Sequence, residues 1–182
     1  HAGKNVGVYV GLFMHDYENI HIASTEHDLH GMHSATGMST TISANRISYV
    51  FDFKGPSLVV DTACSSSLVA IDLACRSLWD NETELAVAGG VNALCKPEMT
   101  MTLCKASMLS PDGYSKSFDA RANGYVRAEG AGMILLKRLS QAETDGDPIH
   151  ALIRGTAVNQ DGRSEGITVP NGASQQKAMR RA

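Results

Sequence analysis

The sequence lacks the long apolar runs that would place it in or across a membrane. No run approaches the roughly 20 apolar residues that span a bilayer, and residues 1–5 are not followed by the apolar core of a signal peptide. It also lacks an excess of basic residues, since the formal net charge is -3 and charged residues make up 19%. This charge argues against the basic surface of a nucleic-acid binder. The composition predicts a soluble, cytoplasmic protein that binds neither membrane nor nucleic acid.

Paired cysteine motifs are absent as well. The four cysteines are Cys64, Cys75, Cys95 and Cys104, and none forms a Cys-x-x-Cys pair. The paired spacing of a zinc site is therefore missing, and nothing suggests the oxidising compartment that disulfides need. We interpret them as four reduced thiols, of which all but Cys64 pack in the core as small hydrophobic side chains.

Nucleotide and metal motifs are also missing. Gly89-Gly90 is not followed by a Gly-x-Gly-x-x-Gly pattern, and the glycine-rich segment 124–132 has no Walker lysine. Residues 15–33 hold five histidines without a His-Glu-x-x-His pattern: His15, His21, His27, His30 and His33. A helix would place the last three on one face, where a metal site is conceivable. We favour a solvated or dimer-facing loop for this stretch.

The sequence does contain enough apolar residues for one core. The chain has 182 residues, 43% of them hydrophobic, which fits a single domain. Five mostly continuous apolar runs predict strands buried on both faces, as in a layered α/β protein. They cover residues 6–11, 57–61, 85–89, 132–137 and 150–155.

Three helices are predicted between and after these strands. The clearest covers residues 68–79, and Ser65, Ser66 and Ser67 offer oxygens to cap its start. Its apolar stripe consists of Leu68, Ile71, Cys75, Leu78 and Trp79. The other two helices cover residues 36–43, before Asn45-Arg46, and residues 174–181.

Cys64 has the most informative surroundings in the chain. It follows the predicted strand 57–61 and directly precedes the three serines that open the helix. Unpaired backbone N–H groups at a helix start favour negative charge, so a thiol there loses its proton more readily than a free cysteine does. Because the thiolate is the nucleophile, the pattern predicts that Cys64 accepts an acyl group.

Several motifs spread along nearly the whole chain resemble the ketosynthase (β-ketoacyl synthase) domain of type I polyketide synthases and animal-type fatty acid synthases. In the family's order they are Ala44-Asn45-Arg46-Ile47-Ser48-Tyr49, Gly55-Pro56-Ser57, Asp61-Thr62-Ala63-Cys64-Ser65-Ser66-Ser67-Leu68, Ala88-Gly89-Gly90-Val91-Asn92, and the segments 118–132 and 155–162. The segments 125–130 and 158–162 look more like the polyketide branch, and a fatty acid synthase is the close alternative.

The resemblance implies an α/β, thiolase-like layered α/β/α fold, built from two similar halves and forming a homodimer. This chain would supply most of the first half, about residues 1–148, and the opening strand of the second, about residues 149–182. Cys64 matches the family's catalytic nucleophile. No bound cofactor or metal is implied, and the substrates are carried on the phosphopantetheine of an acyl carrier protein.

The implied reaction is a decarboxylative condensation. Cys64 takes an acyl group from the carrier, a malonyl-type unit on an acyl carrier protein loses CO₂, and the carbanion attacks the cysteine thioester. The family stabilises the enolate with two histidines, in a His-Gly-Thr-Gly-Thr and an Asn-Ile-Gly-His motif, and neither motif occurs in this sequence. We therefore expect the 182-residue chain alone not to condense malonyl units.

Some positions keep two interpretations at this point. For Tyr125 the resemblance implies a place in the lining of the acyl tunnel, and the alternative is burial in the core. Two interpretations are also open for the methionines, which either line a flexible lipid-facing surface or fill gaps in the core: Met99, Met101 and Met108. Asn123 stands where many ketosynthases have Asp, and it suits a turn with positive φ. Glu165 stands where Asn is common, and we assign it no role.

Two functions of other classes also stay open. A non-catalytic dimerisation scaffold would be expected to have lost Cys64. A cysteine hydrolase or simple acyltransferase would need a histidine base near Cys64.

Overall fold

The computed structural model describes residues 1–23 and 30–182. In chain order the elements are β1 Val6–Gly11, α1 Asp16–Ile22, α2 Ser34–Met38, α3 Thr41–Phe51, β2 Ser57–Val60, a short 3-10 helix Ala63–Ser65, α4 Ser66–Trp79, β3 Leu85–Asn92, α5 Glu98–Lys105, β4 Gly130–Lys137, α6 Leu139–Asp145 and α7 Gly172–Arg181. The first four predicted strands are confirmed, as is the C-terminal helix.

The four strands form one mixed sheet in the order β2-β1-β3-β4. β1 pairs in parallel with β2 and β3, whereas β4 is antiparallel to β3. The register sets Gly11 beside Val60 on one side and beside Gly90 on the other. The carboxyl ends of three parallel strands therefore meet at one edge of the sheet, which is where ligands bind in open α/β sheets.

Helices cover both faces of the central strands. Tyr9, Ala86 and Ala88 pack against α4 on one face, while Val8 and Val10 pack against Ala44 of α3 on the other. Side chains of a strand alternate between faces, so β1 contributes to both cores and is buried along its whole length. This layering is the predicted α/β/α arrangement.

The helix α4 buries a different stripe from the one predicted. Cys75 and Leu78 are buried, but Leu68 is 70% exposed and Trp79 is 50% exposed. The residues that contact the sheet are centred on Ala70 and Ala74. Small side chains let a helix lie close to a sheet, so the tightest contact falls on alanines rather than on the largest apolar residues.

The predicted strand at residues 150–155 is wrong. This segment has no regular structure, and its apolar side chains are largely exposed, with Leu152 at 56%. Apolar, β-branched composition favours a strand only where another strand supplies ladder partners, and the segment adds to neither edge of the described sheet. The burial predicted for β4 is also wrong, because Met133, Ile134 and Leu135 are exposed on this edge strand.

The predicted helix over residues 36–43 is wrong in its bounds. Ser39 is extended, with ψ 123°, and ends α2. α3 then runs through Asn45-Arg46 to Phe51 and ends where Asp52 takes a left-handed φ of 54°. The packing of Ala44 and Ile47 against β1 continues the helix beyond the predicted end.

The cysteine predictions are confirmed for one core thiol and wrong for two. Cys75 is buried, and this burial, with Asp72 acting in the same direction, raises the pKa of its thiol. Cys95 and Cys104 are exposed. Cys104 lies on α5, which buries none of its residues, so its position in a helix does not place it in a core.

Candidate active site

Cys64 lies in a tight turn between β2 and α4. The 3-10 helix Ala63–Ser65 holds it there, and its side chain is exposed. Ala63 has a φ of 54°, a left-handed conformation that costs an alanine about 1–2 kcal/mol. Its N–H donates to Asp61 Oδ1 at 3.0 Å, which fixes the turn. The predicted position of Cys64, at the end of a strand and the start of a helix, is confirmed.

The serines after Cys64 stabilise this turn rather than cap the helix. Ser65 occupies the cap position of α4 without a side-chain cap bond, and its Oγ donates instead to the carbonyl of Thr62 at 2.9 Å. Ser66 Oγ accepts from the N–H of Thr62 at 2.9 Å and donates to the carbonyl of Ala63 at 2.6 Å. The predicted capping role is wrong, because hydroxyls this close to a turn can bond back to it.

A pocket of about 520 Å³ opens beside Cys64. Its floor is formed by two strand ends, the 3-10 helix and the first turn of α4, which contribute Gly11, Gly90, Cys64, Ser66 and Ser67. Its walls are mostly apolar and come from Phe13, Met14, Met99, Leu103, Met108 and Tyr125. Such a lining, with a cysteine thiol in it, suits an apolar ligand.

The structure decides between the interpretations of Tyr125 and the methionines. Tyr125 lines the pocket and is 41% exposed, so ordinary core burial is wrong for this residue. Met99 and Met108 also line the pocket. Met101, on the same helix as Met99, is exposed and does not line it.

The segment 125–130 forms a wall that is bonded to the end of β3. Asn92 Nδ2 donates to the carbonyl of Ala128 at 2.6 Å, and Glu129 Oε1 accepts from the N–H of Leu94 at 2.6 Å. In the preceding turn the positive φ belongs to Gly124, at 133°, rather than to Asn123. Asn123 Oδ1 instead accepts from Lys116 Nζ at 2.7 Å.

Lys116 also bonds a carboxylate in a separate turn, at residues 111–113. Its Nζ lies 2.7 Å from Asp112 Oδ1, and Ser110 Oγ donates to the same oxygen at 2.6 Å. These contacts lower the pKa of Asp112 to about 2, the Lys116 bond being the larger cause and the Ser110 bond the next.

Asp16 joins two walls of the pocket, and no sequence pattern indicated it. Its side chain is buried, and Oδ2 accepts from the N–H groups of Cys95 at 3.1 Å and Lys96 at 3.0 Å. Asp16 begins α1 just after the lining residues Phe13 and Met14, and the loop it binds leads into α5. An aspartate at a helix start is a common pattern, so only the tertiary contact distinguishes this one.

Replacing Asp16 with alanine should lower the free energy of unfolding by about 2 kcal/mol, since two backbone donors lose a charged acceptor. Asp16→Asn keeps one acceptor oxygen and should lose less. Urea unfolding measures both, with Glu18→Ala as the matched control, because Glu18 lies on the same helix and, within the described ranges, its side chain bonds His15 alone. Equal unfolding midpoints for Asp16→Ala and Glu18→Ala would contradict this role.

The described histidines lie apart from Cys64. His21 and His33 line a second cavity of about 450 Å³ with Tyr17 and Arg46, and none of the described histidines lines the Cys64 pocket. His33 precedes α2 and His30 lies outside any helix. The helical face that a metal site would have needed is therefore not formed by these two, which are exposed outside helices as the favoured loop interpretation expects; His27 lies outside the described residues.

Metal ligands do not cluster within residues 1–23 and 30–182. In these ranges no three His, Cys, Asp or Glu side chains come together as a metal site would require.

No helix in the same ranges has both the length and the apolar character to cross a bilayer. The hydrolase alternative also lacks a histidine base beside Cys64 within the described part of the chain.

Two family models together match almost the entire chain. The model of the β-ketoacyl synthase N-terminal domain matches residues 1–142, and that of the C-terminal domain matches residues 150–182. A highly reducing polyketide synthase of Cryptosporiopsis sp. is 51% identical over 96% of this chain and 7% of its own length. The polyketide synthase component of the compactin nonaketide synthase of Penicillium citrinum is 48% identical over 98% of this chain and 6% of its own length.

Solved structures agree with these sequence matches. The ketosynthase from module 6 of the bacillaene synthase of Bacillus subtilis 168 superposes with a TM-score of 0.87 and 43% identity, over 98% of this chain and 30% of that chain. An oxazolomycin ketosynthase domain of Streptomyces albus superposes with a TM-score of 0.83 and 44% identity, over 97% of this chain and 30% of its own. The predicted thiolase-like fold is confirmed. The chain spans about a third of these structures.

Proposed function

Because the chain belongs to the β-ketoacyl synthase family, we propose that it is part of a polyketide-synthase ketosynthase domain in which Cys64 carries the acyl chain. The observation that carries this proposal is the position of Cys64, exposed in the turn between β2 and α4 and lining a largely apolar pocket. The relatives named above are polyketide synthases, which favours this branch over a fatty acid synthase.

The first step is a transthioesterification. The Cys64 thiolate attacks the carbonyl carbon of an acyl thioester on the phosphopantetheine of an acyl carrier protein, and a tetrahedral oxyanion forms. The C–S bond to the carrier then breaks, and the carrier thiolate leaves and takes up a proton. The Cys64 N–H, at the start of the helical segment, supplies one donor for the oxyanion.

The second step extends the acyl chain. A malonyl-type thioester loses CO₂, and its carbanion attacks the acyl carbon on Cys64. The C–S bond to Cys64 breaks, the thiolate is released, and the product is a β-ketoacyl thioester on the carrier. By the family resemblance, two histidines stabilise the enolate in this step. The motifs that would contain them do not occur in this sequence, so we propose the step for the whole ketosynthase domain.

The remaining proposals concern assembly and location. We propose a homodimeric domain in which residues up to about 148 belong to the first half and those from about 149 to the second. β2 is an edge strand of the described sheet, which supports pairing across a dimer interface. A cytoplasmic location agrees with the absence of paired cysteine motifs in the sequence.

Alkylation rates test the nucleophile against the scaffold alternative. Iodoacetamide should modify Cys64 about two- to fivefold faster than Cys95 or Cys104, since a helix start stabilises an anion by about 0.3–1 kcal/mol. Those two thiols are the matched comparison because they are also exposed, while the buried Cys75 should react slowest. Peptide mapping by mass spectrometry gives the four rates. Equal rates at Cys64 and Cys104 would favour the scaffold.

A further inference from the structure

Arg127 brings a positive charge into the Cys64 pocket. Among the described residues that line this pocket, it is the one with a formal charge. Its neighbours in the wall, Tyr125, Val126 and Ala128, are apolar or aromatic. A charged group in such a lining serves orientation and specificity in most ligand pockets.

The guanidinium of Arg127 has only neutral partners among the described residues. Nη1 donates to Thr100 Oγ1 at 2.6 Å, and Nη2 lies 3.8 Å from Met14 Sδ. Glu129, two residues along the chain, accepts from the N–H of Leu94, and Asp16, two residues after Met14, accepts from two backbone N–H groups. Arginine has five N–H donors, so the bonds within the described part of the chain leave several donors of this half-buried side chain unused.

We propose that Arg127 binds the anionic group of a ligand that reaches Cys64. This inference rests on the proposed function, which brings two such groups to the pocket: the carboxylate of a malonyl-type thioester and the phosphate of the phosphopantetheine arm. The carboxylate is planar and the phosphate presents three oxygens, and a guanidinium can donate two parallel N–H groups to either of them. Binding the anion would also supply a counter-charge, which the half-buried guanidinium does not have among residues 1–23 and 30–182.

Two alkylating reagents of similar size test this charge. Iodoacetate is an anion and iodoacetamide is neutral, and both form a bond from the Cys64 sulfur to their carbon and release iodide. The ratio of their rates cancels the intrinsic reactivity of the thiolate. Arg127→Gln should lower the iodoacetate-to-iodoacetamide ratio at Cys64 by about fivefold and leave the ratios at Cys95 and Cys104 unchanged.

Two further variants sharpen the test. Arg121→Gln removes the same charge from an exposed residue that pairs with Asp119 and does not line the pocket, so it should leave the ratio at Cys64 unchanged. Arg127→Lys keeps the charge without the fork, so its ratio should lie between those of Arg127→Gln and the unaltered chain. A ratio in Arg127→Gln equal to that of the unaltered chain would overturn the proposal.

A protection experiment at Cys64 identifies the anion. It uses only the unaltered chain, so it does not depend on whether a variant folds. The amide analogue of malonyl-N-acetylcysteamine, which carries a carboxylate and cannot acylate a thiol, and phosphopantetheine, which carries a phosphate, are each tested for slowing iodoacetamide at Cys64 in the unaltered chain. Their neutral counterparts, the acetyl analogue with the same amide and pantetheine, are the controls. Stronger protection by one anion than by its counterpart identifies the source. If neither anion protects better than its counterpart, the proposal fails, whereas the proposed function fails only if Cys64 itself is unreactive.

Discussion

Replacing Cys64 with alanine should abolish the transfer of an acyl group to this chain. The thiol is the one cysteine side chain that lines the described pocket, and removing a nucleophile eliminates the covalent step rather than weakening it. Incubation with an acyl N-acetylcysteamine thioester, followed by intact-protein mass spectrometry, should show one added acyl group in the unaltered chain. We expect no acyl group at position 64 in Cys64→Ala, and the initial rate of total acylation should fall on the order of a thousandfold, to the background reaction of the other three cysteines.

The controls for Cys64→Ala come from the other thiols. Cys104→Ala removes an exposed cysteine that does not line the pocket, and it should acquire the acyl group at the unaltered rate. Cys64→Ser keeps the size of the side chain and should also fail, since a hydroxyl has little nucleophilic anion at neutral pH. Acyl transfer that survives in Cys64→Ala but disappears in Cys104→Ala would refute the assignment of the nucleophile.

Replacing Gly11 with alanine should lower the free energy of unfolding by about 3 kcal/mol. A Cβ at Gly11 would lie 2.4 Å from the backbone N of Ser67 and 2.6 Å from the backbone C of Ser66. These are backbone atoms in the first turn of α4, so no side-chain rotation relieves the contact. The end of β1 and the start of α4 would have to separate, and the turn that holds Cys64 would move with them.

Gly132→Ala is the matched control for Gly11→Ala. Gly132 also lies in a strand, and a Cβ there would meet no atom within 4 Å, so stability should change by no more than about 0.5 kcal/mol. Urea unfolding compares the two variants, and the iodoacetamide rate at Cys64 reports on the turn itself. The steric argument would be refuted if both variants unfolded at the same urea concentration.

The candidate nucleophile was predictable because its signals are local. An apolar β-branched run followed by a small polar run places a strand end beside a helix start, and both lie within a few residues of Cys64. The structure keeps that order, from β2 to the 3-10 helix to α4. The left-handed Ala63 was not predictable, since nothing in an alanine's own preferences indicates a positive φ.

The contacts that build the pocket were not predictable because they join distant parts of the chain. Asp16 bonds the backbone of Cys95 and Lys96, and Arg127 bonds Thr100. None of these residues lies in a sequence motif that indicates its contact. The packing errors have a related cause: Leu68 and Met133 are apolar in sequence, yet their exposure depends on which neighbouring elements lie over them.

The sequence by itself determined the four strands of the sheet, the helix after Cys64 and the family to which the chain belongs, because apolar periodicity and contiguous motifs are written in neighbouring residues. Only the tertiary structure decided which apolar faces are covered, that residues 150–155 form no strand, and that Asp16 and Arg127 border the site. Those outcomes depend on partners far away in the chain, and no local pattern encodes a partner.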